Sequence, residues 1–180
     1  QHGARHVATT LPRLSIHPTA NSDPRAELQD LADALTADLG SYFGTVNWLQ
    51  TSIRGTDSAD SYSLGCVLRA RGDRLRPAPR LHNPAGQAVW THKSDSSLDD
   101  SFDWQDQVVA DIADHGINMI LEAETARLSA TPVDRLTGEE NLLMGIMAWR
   151  TFDPSSYMQS IAFHDRAIRA APELAEAYAE

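Results

Sequence analysis

The sequence predicts an α/β fold: a small mixed or mostly antiparallel sheet with two long helices, followed by a C-terminal helical hairpin. Three patterns carry that prediction. Leu28, Leu31, Leu35 and Leu39 recur at helical spacing; Leu64, Cys66, Leu68 and Ala70 alternate with polar or small residues ahead of Gly72-Asp73; and a second helical period runs from Phe102 to Leu121. At 180 residues, 42% hydrophobic and 22% charged, the chain is long and apolar enough to bury a core.

Residues 1–13 have no periodic pattern and read as a linker or cloning remnant. Leu14-Ser15-Ile16 predicts a short strand broken by Pro18, with a polar loop from Thr19 to Asp23. Pro24, behind Ser22 and Asp23, is placed in the first turn of a helix that ends at Gly40. Thr45 to Thr51 returns to strand character, and Arg54 to Asp60 is polar enough to be a loop.

Between Ser63 and Leu81 the pattern predicts a hairpin and its register. If Gly72-Asp73 closes it, Arg71 faces Arg74, Ala70 faces Leu75, Arg69 faces Arg76 and Leu68 faces Pro77. One face is then apolar, with Cys66 as a small core residue, and the other carries arginines; a slip of one residue would turn arginines onto the core. Pro77 and Pro79 lack amide donors on the side away from the first hairpin strand, so pairing there is expected to be weak or absent. Asn83-Pro84-Ala85-Gly86 makes a turn and Gln87 to His92 a strand. The acidic stretch Asp95–Asp100 leads into the second long helix, with Gly116 as an expected kink. Thr137 and Glu140 have the spacing of a capping box at the start of the hairpin.

Composition and motifs narrow the chemistry. A net charge of −10 argues against direct nucleic-acid binding, and no apolar run approaches membrane-spanning length. The single cysteine, Cys66, excludes an internal disulfide. There is no glycine-rich phosphate loop, His-Glu-x-x-His pair or nucleophile elbow, and the seven histidines are scattered. Asp99, Asp100, Asp103 and Asp106 lack the interleaved spacing of a calcium loop and suit a solvated helix start. The reading is no catalytic, cofactor or metal residue. Met144, Met147, Trp149, Tyr157, Ile161 and Phe163 occupy helical spacing; core packing between the two hairpin helices is expected to account for most of them, with some exposed where a further repeat would sit.

Gly65 to Arg76, then Leu81, Gly86 to Trp90 and Phe102 to Asp106, resemble the TolB-like N-terminal module. Gly145, Ser160, His164, Ala167 and Pro172 fall at the small, packing and terminating positions of a tetratricopeptide repeat, and Pro172 to Tyr178 restarts helix-forming sequence. The resemblance implies a TolB-like α/β module over 14–130 and a tetratricopeptide-like hairpin over 137–180 that includes the truncated start of a next repeat. That order occurs in bacterial transcriptional regulators and class III adenylate or guanylate cyclases.

It further implies a non-catalytic regulatory and protein-interaction region of a longer cytoplasmic signalling protein. Its expected partners are an upstream effector domain or partner protein, further repeats, or a second copy as a homodimer. No membrane or cofactor is implied. Arg69, Arg71, Arg74 and Arg76 are the interaction candidates on the module, and Trp149 and Tyr178 those on the hairpin. Neutralisation by the chain's own carboxylates is the simpler account of the arginines. A small-ligand sensor, with a pocket between the sheet and the first helix, is the alternative function; an enzyme is the remaining one.

Overall fold

In the computed structural model, residues 11–53, 60–72, 74–91, 96–97, 101–151 and 153–173 are described. The chain divides into two compact units: Pro12–Ile120, and Leu121–Glu180 with Gln1–Leu11.

The first unit is built on a mixed sheet whose strands lie in the order Gln50–Ile53 (β3), Arg13–Ile16 (β1), Tyr62–Arg71 (β4), Arg74–His82 (β5) and Ala88–Thr91 (β6). Strand β1 (Arg13–Ile16) lies parallel to both β3 (Gln50–Ile53) and β4 (Tyr62–Arg71). Helix α1 (Ala26–Gly44) makes the crossover that a parallel pair requires. The short β2 (Ala20–Asn21) resumes the line of β1 beyond Pro18 and pairs with β4, so part of the predicted polar loop is strand. Ile16 pairs Leu64 and Ala20 pairs Val67, which leaves one residue more on the β1–β2 side. His17 and Pro18 sit in the resulting bulge.

Two expectations about α1 are corrected. Pro24 precedes the helix, whose N-cap is Arg25. Asn21 Oδ1 accepts the Asp23 amide at 2.9 Å and Asp23 Oδ1 accepts the Arg25 amide at 3.0 Å, so successive side-chain turns place the start two residues later than proline chemistry suggested. Gly40 does not end α1; a Cβ there would meet Ile53 Cδ1 at 2.6 Å, so the glycine admits β3 and the helix continues to Gly44. The predicted strand from Thr45 is in turn shortened to Gln50–Ile53. Turns closed by Val46 N–H to Phe43 O and Leu49 N–H to Val46 O occupy residues 45–49, with Trp48 and Leu49 buried in them.

The helix-side core is formed by Leu14, Ile16, Leu64, Leu68, Leu75 and Leu81 from the sheet and Leu28, Leu35, Leu39 and Phe43 from α1, each 0–1% exposed. Thr36, inside α1, is satisfied by donating to Ala32 O and accepting the Thr19 amide at 2.8 Å. Cys66 lies in this core at 5% exposure, where burial pushes its thiol up to about 11. The folded protein thus keeps a proton that the unfolded chain loses. The corresponding stability is complete below the ordinary thiol value of 9.0 and declines as pH rises from there through about 11. Native-state labelling of Cys66 by a soluble disulfide reagent is expected to be roughly 100-fold slower than in denaturant. Equal rates would mean the core opens readily at β4.

Helix α2 (Ser101–Leu128) runs unbroken through Gly116, the expected kink point. That glycine serves packing: a Cβ would lie 2.9 Å from Phe43 Cζ. Tyr42 donates to Asp114 at 2.9 Å, which pushes the phenol's pKa up, and Trp90 of β6 (Ala88–Thr91) stacks on His115 with centroids 5.7 Å apart.

In the second unit, helices α3 (Gly138–Arg150) and α4 (Pro154–Ala170) form a hairpin. The capping box is present: Glu140 N–H donates to Thr137 Oγ1 at 3.2 Å and Thr137 N–H to Glu140 Oε2 at 2.9 Å. Asp153 caps α4 by accepting the Ser155 and Ser156 hydroxyls and amides, which holds its carboxyl well below the usual carboxylate range. The expectation that core packing accounts for most of the six large apolar residues is only half met, whereas Gly145, Ser160 and Ala167, placed at small and packing positions, do lie inside. Trp149, Tyr157 and Ile161 are 52%, 49% and 42% exposed, while Gly145, Ser160 and Ala167 are buried. Close approach explains the inversion. Ser160 Oγ donates to Gly145 O at 2.9 Å, and a Cβ on Gly145 would lie 2.8 Å from His164 Cε1, leaving no depth for larger side chains.

Candidate interaction site

Strand β5 (Arg74–His82) returns antiparallel along β4 around Gly72, whose φ of +61° is the left-handed conformation that favours glycine. The register is the one the alternation predicted: Arg71 pairs Arg74, Ala70 pairs Leu75, Arg69 pairs Arg76 and Leu68 pairs Pro77. Leu64, Cys66, Leu68, Leu75, Pro77, Pro79 and Leu81 are buried, and Arg69, Arg71, Arg74, Arg76 and Arg80 are exposed on the opposite face.

The outer side of β5 is paired in two pieces. Arg80, Leu81 and His82 pair with β6, and Arg74 and Leu75 with β7 (Ser96–Ser97); among the described residues, Arg76 to Pro79 pairs with neither. The interruption falls on the two prolines, which present no amide on that side.

At the hairpin end the four predicted arginines come together. Directly opposed residues sit about 4.5–5.5 Å apart at Cα, so Arg69 lies beside Arg76 and Arg71 beside Arg74. With Ala70 they line a groove of about 320 Å³. Arg25 approaches the same end, donating to Gly72 O at 3.4 Å while it holds Asp23 at 2.9 Å. The Arg25 guanidinium, chiefly through its hydrogen bonds, lowers the Asp23 pKa. Arg69, Arg71 and Arg74 form no ion pair with another described residue. Neither strand contributes an Asp or Glu; the acidic residues at this end are Asp73, which follows Gly72 in sequence, and Asp23 held by Arg25, so the four strand arginines outnumber them. Two guanidinium pairs held side by side favour an oxyanion or carboxylate that reaches both strands. Arg25 and Arg80 were missed in the sequence, although the period-2 pattern of β5 puts Arg80 on the same face as Arg74 and Arg76.

Trp149 belongs to the other unit. It is tilted against Tyr157, centroids 5.3 Å apart, and with Asp153, Pro154 and Met158 lines a cavity of about 500 Å³. A second groove, of about 390 Å³, runs between the end of α2 and helices α3 and α4, with Met144, Met147 and Phe163 in its wall. Tyr178, Asp99 and Asp100 lie outside the described residues. Among the described residues no cluster of three or more His, Cys, Asp or Glu is placed to hold a metal ion, and no helix is long and apolar enough to cross a membrane.

No protein-family model matches the chain, and no curated protein matches it in sequence. Among solved structures it is similar to TolB from Acinetobacter baumannii, at 9% identity and a TM-score of 0.47 over 62% of this chain and 29% of that one. It thus spans less than a third of TolB. It is also similar to an uncharacterized protein, at 16% identity and a TM-score of 0.37 over 62% of this chain and 92% of that one. A PelC dodecamer from Paraburkholderia phytofirmans gives 12% identity and a TM-score of 0.36 over 57% of this chain and 83% of that one.

Proposed function

We propose that this chain is a non-catalytic regulatory and protein-interaction region of a cytoplasmic bacterial signalling protein, a transcriptional regulator or a nucleotidyl cyclase. In this reading the first unit is a TolB-like module that docks an acidic surface of an effector domain or partner through Arg69, Arg71, Arg74 and Arg76. The second unit supplies a tetratricopeptide-type hairpin whose exposed Trp149 and Tyr157 meet a further repeat, a partner or a second copy. The observation that carries the proposal is the arginine groove. Opposed guanidinium groups on adjacent strands repel each other, and an acidic partner converts that repulsion into attraction. Signalling then follows if the effector domain docks with unequal affinity in its two states.

The test separates docking from folding. In Arg69→Glu the new carboxylate faces Arg76, so the melting temperature is expected to hold or rise slightly while affinity for an oligo-glutamate peptide falls about tenfold at low salt. Unchanged peptide binding would reject the docking role.

A further inference from the structure

On the arginine-bearing face, toward the other end of the hairpin, the sheet has a second polar assembly. Gly65 pairs Arg80 and Ser63 pairs His82 between β4 and β5, and Ser15 pairs Ser63 between β1 and β4. Because side chains alternate, Ser15, Ser63, Gly65, Arg80 and His82 share one face. It is the face turned away from α1, since Leu14, Ile16, Leu64 and Leu81 occupy the helix side. His17, two residues beyond Ser15, lies on the same face, where its Nε2 is 2.9 Å from Ser63 Oγ.

Gly65 makes the assembly a receptacle. Among the described residues a Cβ there would find nothing within 4 Å, so the position is a side-chain-free notch. The His17 side of β1 borders it on one hand and Arg80 on the other, with Ser63 and His82 one step along the strands. Arg80 is exposed and makes no ion pair with a described residue; His17, Ser63 and His82 are half-buried. No Asp or Glu occurs in β1, β2, β4, β5 or the bulge. Donors from three chain segments thus border the Gly65 position, and among the described strand residues no carboxylate stands beside it to oppose an anion.

We propose that this notch is a binding site for a small oxyanion, the phosphate or carboxylate group of a low-molecular-weight ligand. Arg80 supplies the forked charged contact and Ser63 a hydroxyl. His17, already bonded to Ser63, orients that hydroxyl, and the imidazole of His82 borders the anion on β5. The site is distinct from the hairpin-end groove: Val67 and Ala78 form the intervening row, so the notch does not depend on the docking role of Arg69 and Arg76.

The test is a titration of the whole chain with inorganic phosphate and, separately, succinate, at constant ionic strength against chloride. It is read at the Gly65 amide and the His17 and His82 ring signals by NMR. Saturable shifts are expected with phosphate for a phosphorylated ligand, or with succinate for a carboxylate ligand. Arg80→Gln is expected to weaken them by about tenfold. Gly65→Thr, a strand-compatible residue entering open space, should abolish them by filling the notch. The double variant Arg69→Gln/Arg76→Gln should leave them unchanged. Shifts that match chloride, or that survive Arg80→Gln at full strength, overturn the proposal. So does their loss in the Arg69/Arg76 variant alone, which would move anion binding to the hairpin end.

Discussion

Phe43→Ala is expected to lower the stability of the first unit by about 3–5 kcal/mol, the range for removing a fully buried aromatic ring. Phe43 is 0% exposed and lies in the last turn of α1, where its carbonyl closes the turn to Val46 and accepts Thr51 Oγ1 at 3.3 Å. Its ring reaches into α2 so closely that Gly116 can carry no Cβ without meeting Cζ at 2.9 Å. Phe43 therefore links α1 and α2 through its ring and the turn before β3 through its carbonyl. Such a site collapses poorly when emptied, which puts the expected cost toward the upper part of the range. Urea denaturation should show the midpoint fall with an unchanged slope, and Phe43→Leu should lose roughly a third as much. A loss below about 1 kcal/mol for Phe43→Ala would show that the ring is not wedged between the two helices.

Gly145→Val should destabilise the second unit by about 2 kcal/mol, because overpacking at a close helix contact forces the backbone apart. The new Cβ would stand 2.8–3.0 Å from His164 Cε1, Nδ1 and Nε2. The ring cannot simply swing aside, since Nδ1 holds the Ser160 carbonyl at 2.9 Å and lies 3.2 Å from Ser160 Oγ. Displacing it also disturbs the Ser160 Oγ bond to Gly145 O across the two helices. A double-mutant cycle with His164→Ala is the discriminating measurement. Truncating the ring opens the space the valine needs, so a coupling of about 1 kcal/mol or more should appear as regained stability. Strict additivity would place the damage in helix propensity, away from the α3–α4 contact.

The β4–β5 hairpin was legible in full because a period of 2 admits only two faces, and Arg69, Arg71, Arg74 and Arg76 fix which one is outside. The capping box at Thr137 was legible for a similar reason: its two hydrogen bonds join residues three apart and need nothing from the rest of the fold. Helix α1 was harder. Gly40 reads locally as a terminator, yet its missing side chain serves the approach of Ile53, a residue thirteen positions further on. Tyr157 and Ile161, expected among the packed residues, failed for a different reason. Helical spacing identifies a shared face but not whether another helix covers it, and Gly145, Ser160 and Ala167 brought α3 and α4 together on a different surface. The arginine groove could be read from the hairpin register alone. The notch at Gly65 could not, because it requires the parallel pairing of β1 with β4, which sets Ser15 and His17 beside Ser63 and Gly65.

The proline interruption on the outer side of β5 also determines what kind of molecule can meet this hairpin. A foreign strand seeking to extend a sheet needs a run of alternating amides and carbonyls, and at Pro77 and Pro79 the amides are missing. Edge-to-edge aggregation and strand addition are therefore blocked along the stretch that carries Arg76. Recognition there falls to guanidinium groups instead of backbone ladders, which leaves it sensitive to the sequence and charge of the visitor and closed to generic β-pairing.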